Sequence, residues 1–239
     1  MFHVSCFLML YLVATPIGNL RDITLRALDI LKMADLIVCE DTRQTQKLLS
    51  AYEISKPLTS FHEHSGQGKL TGLVDKLKAG ENLAFVTDGG MPVISDPGFE
   101  LVRECLKEKI KMEVLPGPNA AVTALAGSGL ACYSFSFFGF LPQKSAARKN
   151  LLKSLIEREE TLIFYESPYR LLKVLQDMQE IFGEREAVVA RELTKKFEEF
   201  SRGLLADLVK IYAAKKPLGE IVILVSGANR KRLFALEST

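Results

Sequence analysis

The chain has 239 residues, of which 48% are hydrophobic and 25% charged, and its net charge at pH 7 is +2. The length suits one large α/β domain or two domains of ordinary size, and the composition is that of a globular protein whose core needs no disulfide or metal to stabilise it. So small a net charge gives no sign of a strongly basic nucleic-acid binder, although it leaves room for a local basic patch.

The cysteines and histidines indicate neither a disulfide framework nor a metal site. The four cysteines are far apart and include no CxxC pair, and the three histidines supply no metal-ligand spacing. Cys39 and Cys105 fall in apolar strand and helix patterns. We therefore expect buried free thiols, no bound metal and a reducing, cytoplasmic environment.

The first apolar segment, Val4–Ala14, is interpreted as the start of the fold and not as a targeting signal. No Lys or Arg precedes it, and it is too short to span a bilayer. No other segment of the sequence resembles a membrane span. We expect residues 1–8 to be a dispensable extension ahead of the first strand.

Strand and helix patterns alternate through the first half of the chain, which is typical of a parallel sheet with helices on both faces. Ligands of such sheets bind beyond the carboxyl ends of the strands. We therefore expect the active site between the loops Asp88–Gly98 and Pro116–Ala121. The predicted strands are Leu10–Ala14, Leu36–Cys39, Leu58–Phe61, Leu83–Val86 and Met112–Leu115.

The segment Pro116-Gly117-Pro118 is the best candidate for a domain boundary, because two prolines around a glycine end a strand and fix the direction of the next segment. It divides the chain into an N-terminal α/β domain, 1–116, and a C-terminal mixed α/β domain, 117–239. The predicted strands of the second domain are Ser134–Phe138, Thr161–Tyr165, Ala187–Ala190 and Glu220–Val225.

The turn Asp88-Gly89-Gly90 follows a predicted buried strand and has two interpretations. Glycines after a strand often make only a tight turn, but bare backbone also lets a ligand approach closely. The chain has neither a GxxxxGK[ST] segment nor a GxGxxG segment that opens a helix, which disfavours a phosphate cradle or an ordinary dinucleotide site. A carboxylate beside bare backbone suits ribose hydroxyls or an ammonium group.

Other ionisable segments also have two interpretations each. The segment His62-Glu63-His64 contains a general base with its orienting carboxylate, or it is a solvated loop. Glu40-Asp41-Thr42-Arg43 is catalytic, or it places acids at the positive end of a helix. Two sets of basic residues either contact phosphates or lie on solvated faces of the protein. They are Lys144, Arg148, Lys149 and Lys153, and Arg191, Lys195 and Lys196.

Eight segments, in their order along the chain, closely resemble one family. They read LVATPIGNLRDITLRAL, IVCEDTRQTQKLL, LTSFHEHSG, TDGGMPVISDPG, LPGPNAAVTALAGSGL, GFLPQK, FYESPYRL and ARELTKKFEE. The family is that of ribosomal RNA small subunit methyltransferase I, which is similar in fold to the tetrapyrrole (cobalt-precorrin) methylases. The resemblance extends from Leu10 to about Val225.

The resemblance implies an α/β fold of the class III S-adenosylmethionine methyltransferase type. In this fold two α/β domains hold the methyl donor, S-adenosylmethionine, in the cleft between them, and the protein is a homodimer. The acceptor that the resemblance implies is the ribose 2′-hydroxyl of a specific cytidine in the decoding region of 16S rRNA, within the small ribosomal subunit.

Carried onto this chain residue by residue, the resemblance implies a donor site and an adenosine pocket that second-domain residues complete. Two departures from the family are visible. Gly89 stands where the family commonly has Ala, which should loosen the turn without removing a contacting group. Ser65-Gly66 follows His64, where the family usually has Asn-Glu. The donor residues are Asp88, Gly89, Gly90, Met91, Pro92, Ile94, Leu115, Asn119 and Ala120, and the second-domain residues are Tyr165, Leu193 and Gly219.

The acceptor that the resemblance implies needs chemical help, because a ribose hydroxyl is a poor nucleophile and a base near it should assist methyl transfer. Candidate bases are His62, Glu63 and Asp41. Two other functions stay open: methylation of a tetrapyrrole or another small molecule, and a non-enzymatic role in ribosome assembly. Candidate RNA contacts are Arg43, Lys144, Arg148, Arg191 and Lys195.

Overall fold

The computed structural model describes residues 9–62 and 65–228. It divides into two compact units, Met1–Asn119 and Ala120–Thr239; the sequence-based boundary falls between residues 116 and 117. The expected extension, residues 1–8, and the candidate base Glu63 with its neighbour His64 lie outside the described residues.

The first unit contains a five-stranded sheet in the order β3-β2-β4-β1-β5, and every neighbouring pair of strands is parallel. This confirms the predicted parallel sheet. The elements are β1 (Met9–Val13), α1 (Leu25–Met33), β2 (Leu36–Cys39), α2 (Thr42–Ala51), β3 (Leu58–Ser60), α3 (Gln67–Lys78), β4 (Leu83–Phe85), α4 (Phe99–Lys107) and β5 (Lys111–Leu115), with a short 3-10 helix at Leu20–Asp22.

Helices cover both faces of this sheet. Along β1, Leu10 and Leu12 belong to one apolar cluster, and Tyr11 and Val13 belong to the other. Side chains of α3 and α4 complete the first cluster, and side chains of α1 and α2 complete the second. Strands that are buried on both faces need apolar side chains at every position. This is why all the residues of β2 are buried and apolar.

The second unit contains a mixed five-stranded sheet in the order β6-β7-β10-β8-β9. β6 and β7 are parallel, and the remaining neighbours are antiparallel. The predicted mixed α/β character of this half is therefore confirmed. The elements are α5 (Ala120–Ser128), β6 (Phe135–Phe140), α6 (Ser145–Lys153), β7 (Thr161–Glu166), α7 (Leu171–Phe182), β8 (Glu186–Arg191), β9 (Glu199–Leu204), α8 (Leu205–Ala214) and β10 (Ile221–Val225).

Within the described residues, no helix is both long and apolar enough to cross a bilayer. The same part of the chain contains no group of three or more His, Cys, Asp or Glu side chains arranged to hold a metal ion. Cys39 and Cys105 are buried and Cys132 is exposed, and all three are free thiols.

The structure corrects the assignment of Arg148 as an RNA contact. Its side chain is only 2% exposed, and Nε donates to Oδ2 of Asp177 at 2.7 Å. Nη1 donates to the backbone carbonyls of Pro142 at 3.2 Å and Gln143 at 3.0 Å. Arg148 therefore anchors the segment that follows β6. The sequence alone does not show that Arg148 is buried whereas Lys153, in the same helix, is exposed.

Replacing Arg148 by Ala should lower the free energy of unfolding by about 3–5 kcal/mol, because Asp177 would keep a buried charge without its main partner. Urea denaturation followed by circular dichroism would measure the loss. The control is Lys153→Ala, which removes an exposed cation from α6 and should cost less than about 1 kcal/mol. Equal stabilities of the two variants would contradict the anchoring role.

Candidate functional site

The carboxyl edge of the first sheet brings several predicted site residues together. Asp41 follows β2, His62 follows β3, Asp88 follows β4, and Leu115 ends β5. Because all of these strands are parallel, their carboxyl ends meet at one edge. The loops that were expected to form the active site both start there.

The loop after β4 is fastened to the end of β1 by three hydrogen bonds. The backbone N–H of Thr15 donates to the carbonyl of Gly90 at 2.9 Å, and the N–H of Gly90 donates to the carbonyl of Thr15 at 2.9 Å. The Thr15 hydroxyl donates to the carbonyl of Thr87 at 3.1 Å. Gly90 has a φ of +96°, a conformation that favours glycine. The first residues of the loop therefore have a defined position.

Two glycines let neighbouring loops pass close to β1. A Cβ at Gly89 would lie 3.2 Å from the carbonyl oxygen of Pro16, and a Cβ at Gly117 would lie 2.8 Å from Cβ of Ala14. A side chain at Gly117 would push the loop after β5 away. Gly89 is exposed, so its backbone is accessible to a ligand.

The same loop contains two strained residues. Val93 has a φ of 75° and Ser95 a φ of 63°, in the left-handed region that non-glycine residues rarely adopt. Such a conformation costs on the order of 1–3 kcal/mol, and it is most unusual for a β-branched residue. Strained residues cluster at ligand-binding and active sites, and these two lie a few positions after Gly90.

The carboxylates of Glu40, Asp41, Asp88 and Asp96 form an acidic cluster at this edge, and the pKa of three of them is raised. Burial, followed by the charge of Glu40, raises the pKa of Asp96 to about 7. Burial also raises the pKa of Asp88, with a further contribution from Asp41, although the Asp41 backbone N–H donates to Asp88 at 3.2 Å. The pKa of Glu40 is raised by burial and by Asp88. Together these groups favour the binding of a positively charged ligand.

Asp96 was not singled out from the sequence, although the predicted site loop Asp88–Gly98 contains it, and Glu40 was considered only within the segment Glu40-Asp41-Thr42-Arg43. Asp96 stands in the segment Ser95-Asp96-Pro97-Gly98, where an acid before Pro-Gly reads as an ordinary turn residue. Its partial burial beside Glu40 and Asp88 depends on the course of the loop, which the local sequence does not reveal. A signal that was available is the number of acids at the carboxyl ends of neighbouring predicted strands.

Asp41 makes the contacts of a helix cap. Its Oδ1 accepts from the backbone N–H of Arg43 at 2.8 Å, and its Oδ2 lies 3.0 Å from Nη2 of the same residue. These hydrogen bonds lower the pKa of Asp41, which makes the carboxylate a weaker base. The contacts are those expected if the Glu40–Arg43 segment caps α2.

His62 is exposed at the end of β3 and lies within electrostatic reach of Glu40 and Asp88. Its backbone N–H donates to the Ser65 hydroxyl at 2.7 Å, and the Ser65 N–H donates back to the His62 carbonyl at 2.9 Å. The described residues therefore place one of the candidate bases, His62, at the same edge as the acidic cluster.

In the second unit, the predicted residues Tyr165, Leu193 and Gly219 lie at one edge of the mixed sheet. β10 runs antiparallel between β7 and β8, so its start meets their ends, and Ile221 pairs with both Glu166 and Arg191. Gly219 has a φ of +87°, and a Cβ there would collide with Glu192. The adjacent loop is also strained: φ is 53° at Glu192 and 63° at Thr194.

The remaining predicted RNA contacts differ in their pairing. Arg191 lies 2.8 Å from Glu199, and Lys195 lies 2.9 Å from Glu192 and 2.8 Å from Glu220. The exposed guanidinium of Arg43 is paired with Asp41. Lys144 is exposed and has no carboxylate partner within the part of the chain that the structure describes.

Comparison with known proteins identifies the family to which a chain with this fold and site belongs. The model of the tetrapyrrole (corrin/porphyrin) methylases matches residues 9–209. Among solved structures, diphthine synthase superposes with a TM-score of 0.69 at 14% identity, over 91% of this chain and 90% of that one. Uroporphyrin-III-C-methyltransferase from Thermus thermophilus superposes with a TM-score of 0.64 at 21% identity, over 91% and 94%. These two likenesses show the fold.

The chain therefore belongs to the tetrapyrrole methylase family, whose methyl donor is S-adenosylmethionine. It is 49% identical over 218 residues to ribosomal RNA small subunit methyltransferase I of Thermotoga maritima, covering 91% of this chain and 98% of that protein. It is 51% identical over 221 residues to the protein of the same name from Vibrio cholerae, covering 91% and 77%. Within the larger family, the chain is a member of the ribosomal RNA small subunit methyltransferase I family.

The elevated pKa of Asp96 predicts a pH-dependent effect of Asp96→Asn. The pKa rises from its ordinary value of 3.8 to about 7 on folding, so ionisation of Asp96 opposes folding. The contribution of Asp96 to wild-type stability therefore falls as the pH rises from about 4 to about 7 and is then level. The Asn variant lacks this loss. At pH 8 its free energy of unfolding should exceed that of the wild type by on the order of 1–2 kcal/mol.

Urea denaturation at pH 4 and at pH 8 would measure this difference, which should vanish at the lower pH. Asp29→Asn is the control, because it removes an exposed carboxylate from α1. A difference of the same size at both pH values would contradict the assignment to Asp96.

Proposed function

We propose that this protein transfers a methyl group from S-adenosylmethionine to the ribose 2′-hydroxyl of a specific cytidine in the decoding region of 16S rRNA. The observation that carries the proposal is the loop after β4. It presents the exposed Asp88 beside bare glycine backbone, in a chain about half identical to relatives named as small-subunit rRNA methyltransferases. The small ribosomal subunit would be the partner, and the reaction would then take place in the cytoplasm. That the protein forms a homodimer also remains a prediction.

The first unit has features that fit this donor. When bound, S-adenosylmethionine supplies a methyl group activated by a positively charged sulfur, and it also carries an ammonium group. Burial and, after it, the charge of Asp41 raise the pKa of Asp88, so a cation nearby would stabilise the ionised carboxylate. The exposed backbone of Gly89 offers hydrogen bonds at close range. The residues proposed to hold the donor are Asp88, Gly89, Gly90, Met91, Pro92, Ile94, Leu115, Asn119 and Ala120.

The second unit would contribute Tyr165, Leu193 and Gly219 to the adenosine pocket. In support, all three lie at one edge of its sheet, and the loop that contains Leu193 holds two strained residues. Strain of this kind persists only where the surrounding structure imposes it, which is common at ligand sites.

The chain's own residues would position the acceptor and remove its proton. Methyl transfer is an in-line displacement, so much of the rate comes from holding the hydroxyl in the correct geometry. His62 is the candidate that would accept the hydroxyl proton, because imidazole is the commonest general base. His62 is also exposed at the edge of the first sheet that carries the acidic cluster. Asp41 is bound to Arg43 and is less available for this role. Glu63 is retained as a proposed base from the sequence.

The residues proposed to contact RNA are Arg43, Lys144, Arg191 and Lys195.

The deciding experiment is transfer of labelled methyl from S-adenosylmethionine to small ribosomal subunits that lack the modification, followed by mapping of the label. We expect one ribose-methylated cytidine. Donor binding without RNA labelling would direct attention to tetrapyrroles or other small acceptors. Failure to bind the donor would indicate a non-enzymatic assembly factor.

Asp88→Asn should weaken donor binding about tenfold, since it removes one charge from a charge-assisted contact and leaves the shape of the side chain. Isothermal calorimetry would measure the affinity. Asp29→Asn is the matched control and should bind the donor like the wild type. His62→Ala, in contrast, should lower kcat and leave donor affinity unchanged. Wild-type affinity in Asp88→Asn would remove Asp88 from the donor site.

A further inference from the structure

A bulge near the end of β6 turns an aromatic side chain outward. Phe137 pairs with Ile163 of β7, and the next paired position joins Phe140 to Tyr165. β6 therefore uses one more residue than β7 across this interval. Gly139, inside the irregularity, has a φ of +62°. Bulges of this kind change the face to which the following side chain points.

The bulge decides whether Phe140 is buried or exposed. Phe138 stacks on Phe164 in the core, with ring centroids 5.4 Å apart and planes at 20°. Regular alternation would place Phe140 on the same core face as Phe138. Instead its ring lies 5.7 Å from Tyr165 at 64°, and 58% of the residue is exposed. The fold gives up the burial of a phenylalanine, which is worth about 1.5–3 kcal/mol.

The segment beyond Phe140 is held by two arginines. Nη2 of Arg170 donates to the carbonyls of Leu141 at 2.8 Å and Pro142 at 3.2 Å. The buried Arg148 donates to the carbonyls of Pro142 and Gln143. Arg170 in turn lies 3.3 Å from Glu166, whose side chain is buried. The exposed ring of Phe140 therefore precedes a backbone that is fixed from within.

The exposed ring of Phe140 has aromatic neighbours in the fold and a cationic residue four positions later in the sequence. Tyr165 supports Phe140 from one side, and Phe137 packs against Tyr165 with ring centroids 4.9 Å apart. Lys144 is exposed at the start of α6, where the fixed segment ends. Proteins that bind single-stranded RNA combine exposed rings, on which bases stack, with cations that contact the backbone.

We propose that Phe140, supported by Tyr165, stacks on an unpaired base of the RNA substrate and that Lys144 contacts a neighbouring phosphate. This inference rests on the proposed function. It assigns the exposed ring of Phe140 to the acceptor, whereas Tyr165, on which that ring packs, belongs to the proposed adenosine pocket of the donor. The bulge supplies the orientation of the ring, and the two arginines supply the rigidity that makes stacking specific.

The test compares Phe140→Ala with Phe140→Trp in methyl transfer to unmodified small ribosomal subunits. Phe140→Ala should raise KM for the subunits about tenfold, equivalent to about 1.4 kcal/mol, and leave the Kd for S-adenosylmethionine unchanged. Phe140→Trp should restore KM, because stacking requires only an aromatic face. Tyr133→Ala is the control: Tyr133 is 75% exposed, lies before the opposite end of β6, and should leave KM unchanged.

Donor binding gives a second readout. Phe140→Ala and Phe140→Trp should both bind S-adenosylmethionine with the wild-type Kd, measured by isothermal calorimetry. A loss of donor affinity in Phe140→Ala would overturn the assignment to RNA. So would an unchanged KM in Phe140→Ala, provided that the wild type methylates the subunits. Absence of RNA methylation by the wild type would overturn the proposed function itself, and this inference with it.

Discussion

Two reciprocal backbone hydrogen bonds between Thr15 and Gly90 determine the geometry of the first unit's site. β1 and β4 run parallel, whereas the bridge between Thr15 and Gly90 is antiparallel. The relative direction of the two segments therefore changes between the paired strands and the bridge, and the exposed Asp88 lies two positions before Gly90. The first proposed donor residues of this loop, Asp88 to Gly90, are thereby attached directly to the end of β1.

The carboxyl edge of the first sheet, where the acidic cluster lies, combines stabilising and destabilising features. The loop is fastened at Thr15, yet a few positions later it holds strained backbone at Val93 and Ser95. The burial of Glu40, Asp88 and Asp96, together with the charges of neighbouring carboxylates, raises the pKa of each and adds a further cost. A site with this balance is stabilised by its own positively charged ligand, so ligand binding and folding stability are expected to be linked.

The sequence predicted the fold well where local patterns decide it. The alternation of strand and helix patterns through the first half indicated a parallel sheet with helices on both faces, and the structure has this sheet. The carboxyl-end loops followed from that sheet. Arg148 was misassigned, since its burial depends on Asp177 of a different helix. The orientation of Phe140 depends on a bulge that leaves no local signature beyond Gly139, and the pKa of Asp96 depends on neighbours distant in sequence.

The strand order of the first sheet also has a consequence during synthesis. β1 is made first among the described strands, but both of its neighbours, β4 and β5, begin only at Leu83 and Lys111. At 5–20 residues per second, the about 70 residues between β1 and β4 take on the order of 4–14 s to emerge. During that time the apolar β1 has neither of its two neighbouring strands, so its backbone hydrogen bonds and apolar side chains are satisfied only late in synthesis.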